Sequence, residues 1–238
     1  MGNIRHYSFD LWLTLIKSNP QFKQQRSRIF HQEYNALNKS LEEVEHIFRQ
    51  VDIMCNSINE TTGKNIDAEE MYLMVIGLIN ENKFNLGDID INGLYLRMET
   101  LLFEYLPLIY SDDTVEVLAH IKAKPERTTN ILSNTGFIKG PTLRKVLEQL
   151  NIAQYFNFQL YSDEAGLSKP NKAFFQLLLD EIAAIRSIER DQIIHIGDNI
   201  KTDIQGAENM GIRSLQVNSN NVSLIKLIPD ATQHLFIA

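Results

Sequence analysis

Four short stretches of the chain end in residues that can do chemistry. Asp10 closes the apolar run "YSFD", with Thr14 four residues on; Ser133 and Asn134 follow "NIL"; Lys169 lies in "GLSKPNK"; and Gly197, Asp198 and Asp203 follow "IIHI". Phosphoryl transfer is mainly positioning plus neutralisation of charge, so it needs a carboxylate nucleophile, a Mg²⁺ and cationic or hydrogen-bonding groups for the phosphoryl oxygens. These residues offer each part. Asp10 can attack phosphorus while its other oxygen binds a metal. Asp198 can complete an oxygen-rich Mg²⁺ site, and the backbone carbonyl of Trp12 can add a ligand whatever its side chain. Ser133 and the amide after it can hold phosphoryl oxygens, and Lys169 can balance the charge between Asp10 and the phosphate. Asp203 can orient Lys169 or a metal-bound water; alone, it reads equally well as a first-turn acid near a helix N-terminus. Any one acid after a strand is more simply a cap or turn residue, and the weight lies in the order of the four stretches.

That order requires a scaffold that brings strand ends together. After Pro107 the rhythm is strand, loop, helix: "TTNILSN", "KGPTLRKVLEQLN", "FNFQLYSD", "NKAFFQLLLDEIAAI", "QIIHIGD", "IKTDIQGAENMG" and "IRSLQV". Short apolar strands alternating with helices predict an α/β fold with a parallel, Rossmann-like sheet covered on both faces, with ligands beyond the carboxyl ends of the strands. "IRHYSF" predicts a first strand in the same sheet. From Pro20 to Leu106 the apolar residues recur at helical spacing, which predicts an insertion of about four helices. Ser40 with Glu43 and Asp67 with Glu70 mark two helix starts. The organisation expected is a core of 1–17 and 107–238 interrupted by an all-α domain of 18–106. "VNSNN", from Val217 to Asn221, reads as a loop.

At 238 residues with 44% hydrophobic and 22% charged content, the chain has the make-up of a soluble globular protein, and no apolar run approaches the roughly 20 residues that cross a bilayer. The start lacks a signal-peptide segment and Cys55 has no cysteine partner, so a reducing cytoplasm is the expected location. A net charge of -7 argues against nonspecific nucleic-acid binding and leaves a small molecule as the expected partner. The histidines show no metal-ligand pairing, and His195, in an apolar strand, reads as a core or supporting residue. Cys55 reads as buried and inert. Met54, Met71, Met74 and Met98 are expected to pack the helical insertion.

The constellation "DLWLT", "LSNTG", "SKP" and "GDNIKTD" resembles the haloacid dehalogenase (HAD) superfamily, whose members carry a DxDxT-type loop, a Ser or Thr after a second strand, a Lys and a GDxxxxD-type acidic motif. The resemblance covers about 1–18 and 106–238, and the helical insertion lies where many members carry a helical cap. It implies Asp10, Ser133 and Lys169 in catalysis, Thr14 and Asn134 beside the substrate, Asp10, Asp198 and the Trp12 carbonyl on Mg²⁺, and Asp203 in support. It implies a small phosphorylated substrate. One position departs: family phosphatases carry a second carboxylate where this chain has Trp12, and an indole can neither protonate a leaving alcohol nor activate water. Leu13 stands where glycine is common. Three readings follow: a Mg²⁺-dependent phosphatase or phosphotransferase acting through an aspartyl-phosphate, a metal-independent 2-haloacid dehalogenase, and a weakly catalytic binding or regulatory protein.

Overall fold

The computed structural model describes residues 4–83 and 85–228; the expected domain ends at 1–3 and 229–238, and His234 with them, lie outside these. The chain begins in β1 (His6–Phe9), turns through β2 (Ile16–Lys17), and enters four helices: α1 (Pro20–Glu33), α2 (Leu41–Thr62), α3 (Ala68–Ile79) and α4 (Ile91–Glu104). It returns through β3 (Leu108–Ile109), antiparallel to β2, so that one short ribbon carries both crossings. Then follow α5 (Asp113–Lys122), β4 (Thr128–Ser133), α6 (Gly140–Gln149), β5 (Phe158–Tyr161), α7 (Ser162–Ala165) and α8 (Lys172–Ile185). It goes on through β6 (Ile193–Gly197), a π-helix at Ile200–Gln205 running into α9 (Gly206–Glu208), β7 (Arg213–Gln216) and a 3-10 turn at Leu224–Leu227.

Five strands form one sheet in the order β5-β4-β1-β6-β7, and every pairing is parallel. The fold is the expected α/β, Rossmann-like class. The strand period of two sorts the side chains. Tyr7, Phe9, Ile131, Ile194 and Ile196 share one cluster with Val117 and Leu118 of α5 and Leu143 and Leu147 of α6, while Leu132 and Ile193 join Phe174, Phe175 and Leu178 of α8 in another. Each such fully buried side chain contributes about 1.5–3 kcal/mol.

The four helices bury their own cluster, which takes in Phe137 and Val146 from the α/β part. Both expected capping boxes are present, at Ser40 with Glu43 and Asp67 with Glu70. Met71 and Met98 are buried here, but Met54 is exposed: it lies on the outward stripe of α2, beside Ile53, a correction to its expected packing. Cys55 is buried, its thiol 3.6 Å from the Met74 sulfur, and burial pushes its pKa up to about 11, which makes it inert as expected.

The turn out of β1 carries a strained residue. Leu13 has a φ of 59°, is 51% exposed, and donates its N–H to the Ile16 carbonyl at 2.7 Å. A left-handed backbone costs a residue with a Cβ about 1–2 kcal/mol. Leu13→Gly is expected to leave the unfolding midpoint unchanged or higher, since relief of that strain offsets the extra freedom of glycine in the unfolded chain. Leu13→Val is expected to lower stability by ~1 kcal/mol or more, because a β-branched side chain fits this backbone worse. Scanning calorimetry of the two variants checks both signs.

Candidate active site

Parallel pairing sets Asp10, Ser133 and Asp198 at the carboxyl ends of β1, β4 and β6, the three central strands. Asp10 continues the ladder through its N–H, 2.8 Å from the Ile196 carbonyl. Between the strand ends sits Lys169, 1% exposed, its ammonium 2.8 Å from Asp10 Oδ1 and 2.6 Å from Asp203 Oδ1. Thr14 donates its hydroxyl to Asp10 Oδ2 at 3.1 Å, and Ser133 donates to Oδ1 at 3.4 Å. Both oxygens of Asp10 are thus oriented by neighbours from three segments. Thr14 is fully buried, and its contact is with the carboxylate.

The remaining residues hold these in place. Asn134 clasps the Lys169 backbone: its Nδ2 donates to the Lys169 carbonyl at 3.0 Å, and its Oδ1 accepts the Lys169 N–H at 2.7 Å. Both ends of the Asn134 amide face this loop, an arrangement that its expected place beside the substrate did not anticipate. The carbonyl of Gly63, which caps α2 at a φ of 67°, accepts the N–H of Ser168 and the Nδ2 of Asn171, at 3.1 and 3.0 Å. The helical insertion therefore reaches the lysine loop directly. Asp203 lies on the π-helix, where the Ile204 N–H reaches back five residues to the Asn199 carbonyl, and its Oδ2 accepts the Asn199 N–H at 3.0 Å. Gly197 makes room for that carboxylate, for a Cβ there would lie 2.3 Å from Asp203 Cγ.

His195 takes the core, supporting place expected of it, and Ser8, which the sequence did not single out, joins it. His195 and Ser8 face each other across β6 and β1; the Ser8 hydroxyl is 2.9 Å from His195 Nδ1, and His195 Nε2 is 3.3 Å from Asp203 Oδ1. An ionised carboxylate only accepts, so Nε2 carries the proton and Nδ1 accepts from Ser8. On the same sheet face His6 bonds Thr128 at 2.7 Å and Asn130 at 2.9 Å. The alternation in "HYSF" places His6 and Ser8 together, which is the signal a sequence carries for this stripe. Asn218, in the expected 217–221 loop, donates to the carbonyls of Leu13 and Thr14 at 2.7 and 3.1 Å and so fixes the turn after Asp10.

Charge defines what the pocket can take. Burial raises the Asp10 pKa, with Asp203 adding to the rise and Lys169 opposing it. Burial also works against the charge of Asp203, yet Lys169 and the hydrogen bond from His195 outweigh it and hold this carboxyl well below the ordinary range. Asp198, half-buried, is pushed up to about 7 by burial and by the negative charge of Asp10 and Asp203. Carboxylate oxygens of Asp10, Asp198 and Asp203 lie within 4.8 Å of one another. Two of the three acids share one ammonium while Asp198 has no such partner, and hard oxygen donors at this spacing suit Mg²⁺. Among the described residues no hydrogen bond is donated to the Trp12 carbonyl, which leaves it available to a cation; the half-buried indole packs against the core.

Comparison with known proteins bears on this arrangement. The model of the haloacid dehalogenase-like hydrolases matches residues 4–211. The chain belongs to that hydrolase family. Over 120 residues it is 31% identical to an uncharacterized protein of Saccharomyces cerevisiae, covering 46% of this chain and 38% of that one. Over 75 residues it is 29% identical to the pyrimidine 5'-nucleotidase YjjG of Escherichia coli, covering 32% of each. The matches thus span less than half the length of these curated relatives. Among solved structures, the HAD-hydrolase YfnB of Bacillus subtilis, bound to magnesium, superposes with a TM-score of 0.69 at 16% identity over 91% of this chain and 89% of that one. A 2-haloacid dehalogenase of Pseudomonas syringae gives 0.62 at 18% over 92% and 89%. At such identities these likenesses show the HAD-like fold alone.

The raised Asp198 pKa has a sign that can be checked without substrate. Its folded pKa of about 7 exceeds the ordinary 3.8, so this group lowers the stability of the metal-free protein increasingly as pH rises from about 4 to about 7, and fully above that. In chelator, Asp198→Asn is expected to raise the unfolding midpoint clearly at pH 8 and little at pH 4. Equal shifts at both values would show that charge is not the cause.

Proposed function

We propose that this HAD-like hydrolase is a Mg²⁺-dependent phosphatase or phosphotransferase acting on a small phosphorylated metabolite through an aspartyl-phosphate on Asp10. The observation that carries the reading is three converging carboxylates against one buried ammonium, a surplus of negative charge that a divalent cation offsets, and a cation so held can in turn take up a phosphoryl oxygen. Asp10, Asp198 and the Trp12 carbonyl would hold the ion, which supplies neutralisation of the phosphoryl charge when bound. An oxygen of Asp10 attacks phosphorus and the bond to the leaving group breaks. Water then cleaves the acyl phosphate and regenerates the carboxylate. Lys169 and Ser133 hold the Asp10 oxygens for attack and the phosphoryl oxygens afterwards, and Asp203 keeps Lys169 in place. Segment 18–106 acts as a cap over the site, reached through the β2–β3 ribbon.

Trp12 sets the leaving-group preference. With no proton donor two residues after the nucleophile, alkyl phosphates lose the ~10²- to 10⁴-fold contribution of a general acid, whereas acyl and aryl phosphates depart as stable anions. The pyrimidine 5'-nucleotidase relatives make nucleoside monophosphates a natural member of the substrate panel. Turnover of acyl and aryl phosphates is expected to exceed that of alkyl phosphates by about that factor, and Asp10→Asn is expected to abolish both. Trp12→Asp is expected to raise alkyl turnover more than aryl. Equal gains would point to relieved crowding in the loop. No gain, with fold and Mg²⁺ binding intact, would favour 2-haloacid dehalogenation, in which halide leaves without a proton, or a binding role.

A further inference from the structure

Arg26, on α1, is only 7% exposed, and its Nε has no hydrogen-bond partner. Its guanidinium lies over three rings, 5.5 Å from Phe22, 4.0 Å from Phe48 and 4.7 Å from Phe137. The Tyr72 hydroxyl is its hydrogen-bonding neighbour and the charge of Asp52 attracts it, but among the described residues no carboxylate closes an ion pair with it. Ring faces, one tyrosine hydroxyl and a carboxylate outside ion-pair distance return less than it costs to strip water from an ion, so a buried guanidinium with an unpartnered Nε and no ion-paired acid is unfinished. Its location gives the deficit a meaning. Phe137 belongs to the α/β part and follows Ser133 by four residues, so the chain between their Cα atoms spans at most ~14 Å. The Tyr72 hydroxyl donates to the Phe137 carbonyl at 3.3 Å, which ties this corner of the insertion to the loop that carries Ser133. A guanidinium presents a planar fork that matches the two oxygens of a carboxylate or phosphate.

We propose that Arg26 determines specificity by binding an oxyanion on the part of the substrate that is not transferred, so that the enzyme selects phosphate esters with an acidic tail. The inference rests on the phosphatase reading and names its substrate class. The oxyanion is a carboxylate or a second phosphate, and both offer the same fork of oxygens. Lys23, one turn earlier on α1 and exposed, sets its positive charge against Asp52.

The test uses phosphonates, which bind without being hydrolysed, in calorimetric titrations of the Mg²⁺-loaded protein. Carboxyalkyl phosphonates and bisphosphonates of graded chain length are compared with hydroxyalkyl phosphonates of the same lengths. At the best length the acidic tail is expected to bind about ten-fold tighter or more, and whichever acid gives the larger ratio identifies the oxyanion. Arg26→Met, which keeps an apolar stem among the rings, is expected to bring the ratio to about one while leaving inorganic phosphate affinity unchanged. Its unfolding midpoint should not fall, because a cation without an ion-pair partner has been removed. A ratio near one in the wild type, or one that persists in Arg26→Met, overturns the proposal; so does loss of inorganic phosphate binding in that variant, which would put Arg26 in the phosphoryl site. Should Arg26→Met fail to fold, Arg26→Lys carries the test: a ratio cut severalfold is expected, since a point charge lacks the fork, and an unchanged ratio overturns it. Failure of the wild type to bind inorganic phosphate at all would bring down the phosphatase reading and this inference together, whereas phosphate binding without acidic-tail preference defeats this inference alone.

Discussion

The Lys169 ammonium, buried between Asp10 and Asp203, is the interaction on which the site depends. It is the cation that opposes the burial penalty on both acids, and removing one partner of such a buried cluster costs about 3–5 kcal/mol because the other charges are left uncompensated. The molecule spends several independent contacts on keeping this cation where it is. Asn134 holds the Lys169 backbone from the end of β4, the Gly63 carbonyl holds Ser168 from the end of α2, and His195 with Asn199 holds Asp203. Lys169 fixes the Asp10 oxygen, and in the proposed reaction that fixed oxygen is the one positioned for in-line attack.

One lysine against three acids leaves the balance incomplete, and the deficit is localised. Asp203 shares Lys169 directly, whereas Asp198 stands apart and carries the raised pKa. Folding has therefore placed the unfavourable charge on the half-buried acid of the three. The strain at Leu13 is of the same kind: the turn after Asp10 is set by Asn218 and by the ribbon, not by the local preference of the residue that occupies it.

The scaffold was legible because its signals are additive along the chain. Strands ending at Asp10, Ser133 and Asp198, and a further strand that precedes the Lys169 loop, follow from apolar period and turn chemistry, and the two capping boxes locate α2 and α3 without any tertiary information. Most polar residues inside the sheet were not legible. His195 was expected in a core or supporting place, but His6, Ser8 and Asn130 carry no such signal until the register sets them beside it on one face. Arg26 was passed over for a related reason: a basic residue on an amphipathic helix reads as surface, and only the meeting of α1, α2 and the Phe137 loop buries it. Asn134 illustrates the limit at single-residue level, since its place after a strand end was clear, while its use as a clasp on Lys169 depends on a loop 35 residues away.

Binding of Mg²⁺ to the purified, metal-free protein by calorimetry at pH 8, in wild type and Asp198→Ala, tests the central claim most directly. A cation site built from Asp10, Asp198 and the Trp12 carbonyl requires that the variant bind Mg²⁺ at least ~10-fold more weakly while keeping its cooperative unfolding transition. Identical affinity in the two proteins would contradict it, because the surplus charge at the end of β6 would then have no part in holding the ion.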